Sequence, residues 1–145
     1  MDYKEIETYF DAEDTMEALL ENCQEMFTKI DGLGVKFRSR TVTDPTEIDG
    51  VLQEFTGIFT YLNPILAIAE NEKLNREQRF YNTRKIEIER DGGKFVSAAV
   101  EREASAHVSN YRRVRNIING YVESCKVGIG SCQSLKKKII EESKV

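Results

Sequence analysis

Lys73, Arg76, Arg79, Phe80, Tyr81, Arg84 and Lys85 are the residues of this chain whose types and spacing come nearest to doing chemistry. On a helix, Lys73, Arg76, Arg79, Phe80 and Arg84 share one narrow sector, with Tyr81 beside it. Cations in such a row neutralise phosphates, and rings beside them stack on bases. Grooves that hold single-stranded nucleic acid of any sequence combine these two capacities. Glu70, Glu72 and Glu77 are interleaved, so a helix held by ion pairs four residues apart, such as Glu72 with Arg76, competes for the same residues. Arg112, Arg113 and Arg115 make a second basic patch, which suits either an outer face or the channel wall of an assembly.

The equipment of an enzyme is missing. His107 is the one histidine, and it falls on an apolar seam where a buried or interface role is expected. The chain holds no G-x-x-x-x-G-K-[ST] loop, G-x-G-x-x-G turn, CxxC pair or HExxH. Glu87, Glu89 and Asp91 alternate among cations and read as a solvated strand face better than as metal ligands. Neither a catalytic residue, a metal nor a cofactor is expected. Cys125 and Cys132, two turns apart on a helix, stand roughly 10 Å from one another by the helical rise, too far for a disulfide. With Cys23 they read as small apolar fillers in a reducing compartment.

The elements that position these residues are helices. From Ala104 to Ile139, steps of three and four land on Ala104, His107, Tyr111, Val114, Ile118, Tyr121, Cys125, Gly128, Cys132, Leu135 and Ile139. That is the seam of one long helix, widened by Val108, Ile117, Val122 and Ile129, and broad enough to touch more than one neighbour. A second seam runs through Ile48, Leu52, Phe55, Phe59, Leu62, Leu66 and Ala69, announced by Asp44-Pro45-Thr46-Glu47. Pro64 lies inside it, and because the heptad phase survives, a kink is expected rather than a stop. The seam turns cationic after Ala69, where Lys73 and Arg76 take the next slots. Lys85 to Arg90 then alternates, Asp91-Gly92-Gly93 reads as a turn, and Lys94-Phe95-Val96 follows. A short β-hairpin at the tip and a plain helix–loop–helix turn are both open. Ahead of these, a helix is expected from the Asp14/Glu17 capping pair to Asp31-Gly32, followed by an extended stretch from Val35 to Thr43.

The expected fold is mainly all-α: one domain, 1–145, of long antiparallel helices in a heptad-like bundle, with an acidic helix in 1–31 and a long helical hairpin in 44–143. Two seams this wide on a chain with few other elements call for a homo-oligomer, since a lone hairpin would leave part of each wet. Tyr111, Val114, Ile118, Tyr121, Cys125 and Leu135 are the residues expected to line the core or its interfaces. Residues 1–31 carry ten acids and two lysines, a net of −8 against +4 for the rest, although the whole chain is only −4. The acidic segment could repel nucleic acid locally, shield the basic body or dock on a basic partner. No apolar run approaches the roughly 20 residues that span a bilayer. The acidic start from Met1 to Phe10 has no signal-peptide core, so neither a membrane partner nor export is expected.

A polar helix running through arginines into Phe80-Tyr81 and Arg84, a glycine-containing tip, then one long helix with Tyr121 and Cys125 resembles the UvsY-like family of phage recombination mediators. The resemblance covers about residues 72–138. That family shows a basic pair, two adjacent aromatics and an arginine three residues on. Phe80, Tyr81 and Arg84 match the last three, while Asn75 and Glu77 stand at the basic pair, with Arg76 and Arg79 next to them. The resemblance implies a closed helical oligomer in the cytoplasm of a bacterial host cell. It would bind single-stranded DNA and load a RecA-like recombinase where a single-strand-binding protein sits. The other class left open is a non-enzymatic protein-binding adaptor, or an acidic helical inhibitor of a nucleic-acid-binding partner.

Overall fold

The computed structural model describes residues 1–144, and no strand occurs among them. A short α1 (Tyr3–Thr8) and a single 3₁₀ turn (Tyr9–Asp11) lead into α2 (Glu13–Arg38). Then come α3 (Pro45–Arg90), α4 (Ser97–His107) and α5 (Ser109–Ser143). No helix among the described residues is long and apolar enough to cross a membrane.

The start of α3 forms as its residues dictate. The Asp44 carboxylate accepts from the Thr46 amide at 2.7 Å, and Pro45 sits where a missing N–H costs nothing. The helix runs through Pro64 unbroken for 46 residues, about 70 Å at the helical rise. Ile58, Leu62, Ile65, Leu66 and Ala69 are all buried around the proline, and that packing offsets the lost backbone bond.

Of the two readings left open for the tip, the β-hairpin fails and the plain helix–loop–helix turn holds. Lys85–Arg90 forms the last turns of α3, and Asp91-Gly92-Gly93 caps them. The Gly93 amide donates back to the Ile88 carbonyl at 3.0 Å, with Gly92 at φ +75°, the αL geometry that ends helices on glycine. Alternation over six residues fits two periods, and helix formers continuing an existing helix prevail over it. A second expectation fails in the same direction. Gly32 and Gly34 do not stop α2, because Ile30 and Leu33 are buried and Phe37 packs against the core. The helix ends at Ser39, where Arg40 adopts φ +56° and the Thr41 amide reaches the Lys36 carbonyl at 3.2 Å. At its other end Ala12, not Asp14, is the cap, with its amide held by the Thr15 hydroxyl at 3.2 Å.

The long seam from Ala104 is interrupted once. Val108, fully buried, leaves helical geometry and separates α4 from α5; the Arg112 guanidinium spans the break to the Ser105 carbonyl at 3.0 Å and its hydroxyl at 2.7 Å. Contacts between α3 and α5 run in opposite order along the chain. Asp49 meets Lys136 at 2.9 Å, and Phe55 lies against Gly128. Those between α2 and α5 rise together: Glu13 with Asn110, Glu17 with Arg113, Phe27 with Tyr121. The core between the three helices holds Leu19, Cys23, Phe27, Phe55, Leu62, Val114, Ile118, Val122, Cys125 and Cys132. Of the residues expected in the seam, Val114, Ile118 and Cys125 are fully buried. Tyr111, Tyr121 and Leu135 are half-buried against the core.

Candidate nucleic-acid interface

Beyond Ala69 the second half of α3 packs against α4, forming a two-helix arm. Val100, Ala104 and Val108 are buried there but do not belong to the main core cluster. Apolar cover is thin. Leu74 and Ile86 are each 55% exposed, and Val96 is exposed as well. A helix pair with so little to bury depends on its polar and aromatic contacts, and these involve most of the residues singled out by their spacing.

Lys73 Nζ lies 2.8 Å from Glu77 Oε2. Arg76 is more heavily engaged. Its guanidinium donates to the Phe10 carbonyl at 2.8 Å, lies 3.3 Å from Glu72 and 3.8 Å from Asp11, and stands 4.8 Å over the Tyr111 ring. Arg84 bonds Glu103 on α4 at 3.0 Å and approaches Glu87 at 3.4 Å. The hydrogen bond to Glu103 is the main reason its pKa lies above the usual arginine value. The ion-pair geometry therefore holds for Lys73, Arg76 and Arg84. Arg79 and Lys85 are exposed and have no carboxylate partner among the described residues.

The rings are placed by α4 and the turn before it. Phe80 stacks on His107 with centroids 4.5 Å apart, so His107 is an exposed ring on the arm rather than a buried seam residue; Val108 takes the buried slot. Tyr81 meets Phe95 edge-on at 5.8 Å, and its hydroxyl lies 3.2 Å from the Ser97 hydroxyl. Lys85 Nζ stands 5.2 Å over the Phe95 ring. Tyr81, Lys85 and Phe95 form one aromatic and cationic corner at the tip.

Three further cations belong to this surface and were not singled out by spacing. Arg90, Lys94 and Arg102 are exposed and, like Arg79 and Lys85, without a carboxylate partner among the described residues. The hairpin reading of the tip placed Arg90 and Lys94 on strands, and Arg102 was not singled out. A second feature was legible but overlooked. Asn71, Asn75, Gln78 and Asn82 recur at four, three and four residues and line a shallow groove of about 620 Å³ with Tyr81, Leu74 and Glu101. Carboxamides both donate and accept, so this strip adds neutral hydrogen-bonding groups to a groove that Lys73, Glu77 and Glu101 also line. The acids temper the field: residues 79–103 hold six cations and five carboxylates. Arg113 is paired with Glu17, and Arg112 is engaged by Ser105. Two of the three arginines of the second basic patch are thus bound into helix contacts, while Arg115 Nε is buried without a hydrogen-bond partner among the described residues. Among the described residues no group of histidines, cysteines and carboxylates is arranged to hold a metal ion. Set against known proteins, the chain matches no family model, no curated protein and no solved structure.

Proposed function

We propose that the chain binds single-stranded DNA along the arm and acts as a recombination mediator, assembling as a helical-bundle homo-oligomer that helps to load a RecA-like recombinase in the presence of a single-strand-binding protein. One observation carries the DNA reading: Arg79, Lys85, Arg90, Lys94 and Arg102 are exposed and unpaired among the described residues, on the same arm as Tyr81 and Phe95. Such cations neutralise phosphates without first breaking an ion pair, and the rings offer stacking worth about 1–3 kcal/mol per base. The recombinase and the assembly come from the resemblance over residues 72–138 and from the two wide seams.

The test is titration of a labelled single-stranded oligonucleotide over a range of salt, with light scattering on the same samples. Affinity should fall steeply with salt, by about 0.7 logarithmic units per phosphate neutralised. Replacing Arg79 and Lys85 together with glutamine removes no carboxylate pair, and should weaken binding and lower the salt slope by about 1.4. A folded variant that binds as tightly as the parent would refute the arm as the DNA surface. A monomer at micromolar concentration would remove the assembly. A second reading has its own observation: Glu17, Glu21 and Glu25 form an exposed row at four-residue steps on α2. A parent chain that ignores nucleic acid but captures a basic protein would make that row the binding face of an adaptor.

A further inference from the structure

The most acidic end of the chain is folded back onto one of the arm's own cations. Ile6 is 5% exposed and Phe10 not at all, so the segment Tyr3–Asp11 is anchored by two apolar side chains. The Phe10 carbonyl accepts from Arg76 at 2.8 Å and from the Tyr111 hydroxyl at 3.1 Å, and Asp11 adds a carboxylate 3.8 Å from the same guanidinium. A carbonyl and a carboxylate are thus supplied to Arg76 where a nucleic-acid phosphate would supply its oxygens. Arg76 Nε is buried under this contact with no acceptor, so the substitution is incomplete. The segment also carries Glu5 and Glu7 against Lys4 alone, with Asp2 just ahead of it, and these repel an approaching phosphate backbone. Ala12, extended at φ −149° and ψ 159°, separates it from α2, and the Thr15 hydroxyl bonds across this residue to the Tyr9 carbonyl at 2.8 Å.

We propose that Tyr3–Asp11 is an autoinhibitory strap, which occupies Arg76 at the base of the arm and is displaced when single-stranded DNA binds there. The inference rests on the nucleic-acid reading of the arm. Its consequence is a threshold. Closure divides the apparent affinity by the ratio of closed to open chains. A strand that contacts several of the free cations at once meets that cost a single time, whereas a nucleotide or a very short oligomer cannot recover it.

The experiment uses the full chain, its Phe10→Ala and Asp11→Asn variants, and a labelled oligothymidylate of about 16 nucleotides, the upper end of common single-strand sites. Phe10→Ala should bind about tenfold more tightly than the parent and Asp11→Asn about twofold, by the same factor on any oligomer that needs Arg76 uncovered. In the unmodified parent, saturation with the oligomer should speed amide hydrogen exchange in residues 3–11 while slowing it in residues 73–85. Should Phe10→Ala fail to fold, Asp11→Asn and the parent's exchange decide the matter. A parent that binds DNA with residues 3–11 unchanged or better protected, and no gain in Asp11→Asn, overturns the strap and leaves the DNA surface standing. Absence of binding by parent and variants alike overturns both.

Discussion

Replacing Gly128 with alanine would set a methyl group 2.5 Å from two ring carbons of Phe55 and 2.7 Å from a third, far inside contact distance. Phe55 is buried, with Phe37 stacked near it at 6.2 Å, so the ring retreats only by disturbing a second aromatic. Overpacking of this kind costs about 1–3 kcal/mol. Alanine also improves a helix interior by up to about 1 kcal/mol over glycine, which obscures the steric term in a single variant. Gly130, two residues on in the same helix, has nothing within 4 Å of an added Cβ and serves as the control. Gly130→Ala should be neutral or stabilising by up to about 1 kcal/mol. The difference between the two variants then isolates the packing cost, about 1–3 kcal/mol against Gly128→Ala. Urea unfolding followed by circular dichroism, with a common m-value, measures it. Phe55→Leu should relieve the clash in the double variant. If Gly128→Ala proves as stable as Gly130→Ala, the close approach of α3 and α5 at this point is wrong.

Burial raises the thiol pKa of both Cys23 and Cys125 from 9.0 to about 11, which favours the neutral form in the folded chain. Their contribution to stability is therefore complete below the unfolded value and lost as pH climbs through the window from about 9 to about 11. The urea midpoint should drop across that window, and less so in the Cys23→Ala Cys125→Ala variant; equal drops would refute the assignment. Thiol reagents should label both residues slowly until denaturant is added. Tyr121 stacks on Phe27 at 4.1 Å and donates to Asp31 at 3.1 Å, but only the stack is shielded from water. Tyr121→Phe should cost at most about 1 kcal/mol and Tyr121→Ala about 3 kcal/mol or more, by the same unfolding assay; a reversed order would refute it.

The helical class was legible because two seams of 3-4 spacing leave no other regular structure, and Asp44-Pro45 marked one boundary to the residue. Of the boundaries that failed, one did so at glycines; the start of α2 at Ala12 and the break at Val108 carry none. Gly32-Gly34 and Asp91-Gly92-Gly93 look alike as punctuation, yet the first pair is overridden by buried Ile30 and Leu33 on either side of Gly32, while the second caps a helix whose far side has little left to bury. Local signals cannot tell these cases apart, because the deciding term is tertiary packing. The site was half legible for a related reason. Spacing found Lys73, Arg76, Phe80, Tyr81 and Arg84, but a cation's freedom depends on whether a distant carboxylate or carbonyl reaches it. Glu103 for Arg84 and Phe10 for Arg76 lie 19 and 66 residues away along the chain. Arg90 lies eleven residues after Arg79, on nearly the same side of α3, and only the hairpin reading took it off that row; Lys94 and Arg102 lie beyond α3, so no row on that helix includes them.

α3 passes through two regions of unequal cohesion. Its first half is gripped by the main core, while its second half is covered chiefly by the 11 residues of α4. Cooperative units of a protein are bounded by such changes in burial. The two halves, although one continuous rod, therefore open separately: the tip unwinds toward Arg76 while the turns around Leu62 stay closed. A fraying front that travels from the tip toward the core would make α3 a graded spring, stiff at its root and compliant at its tip.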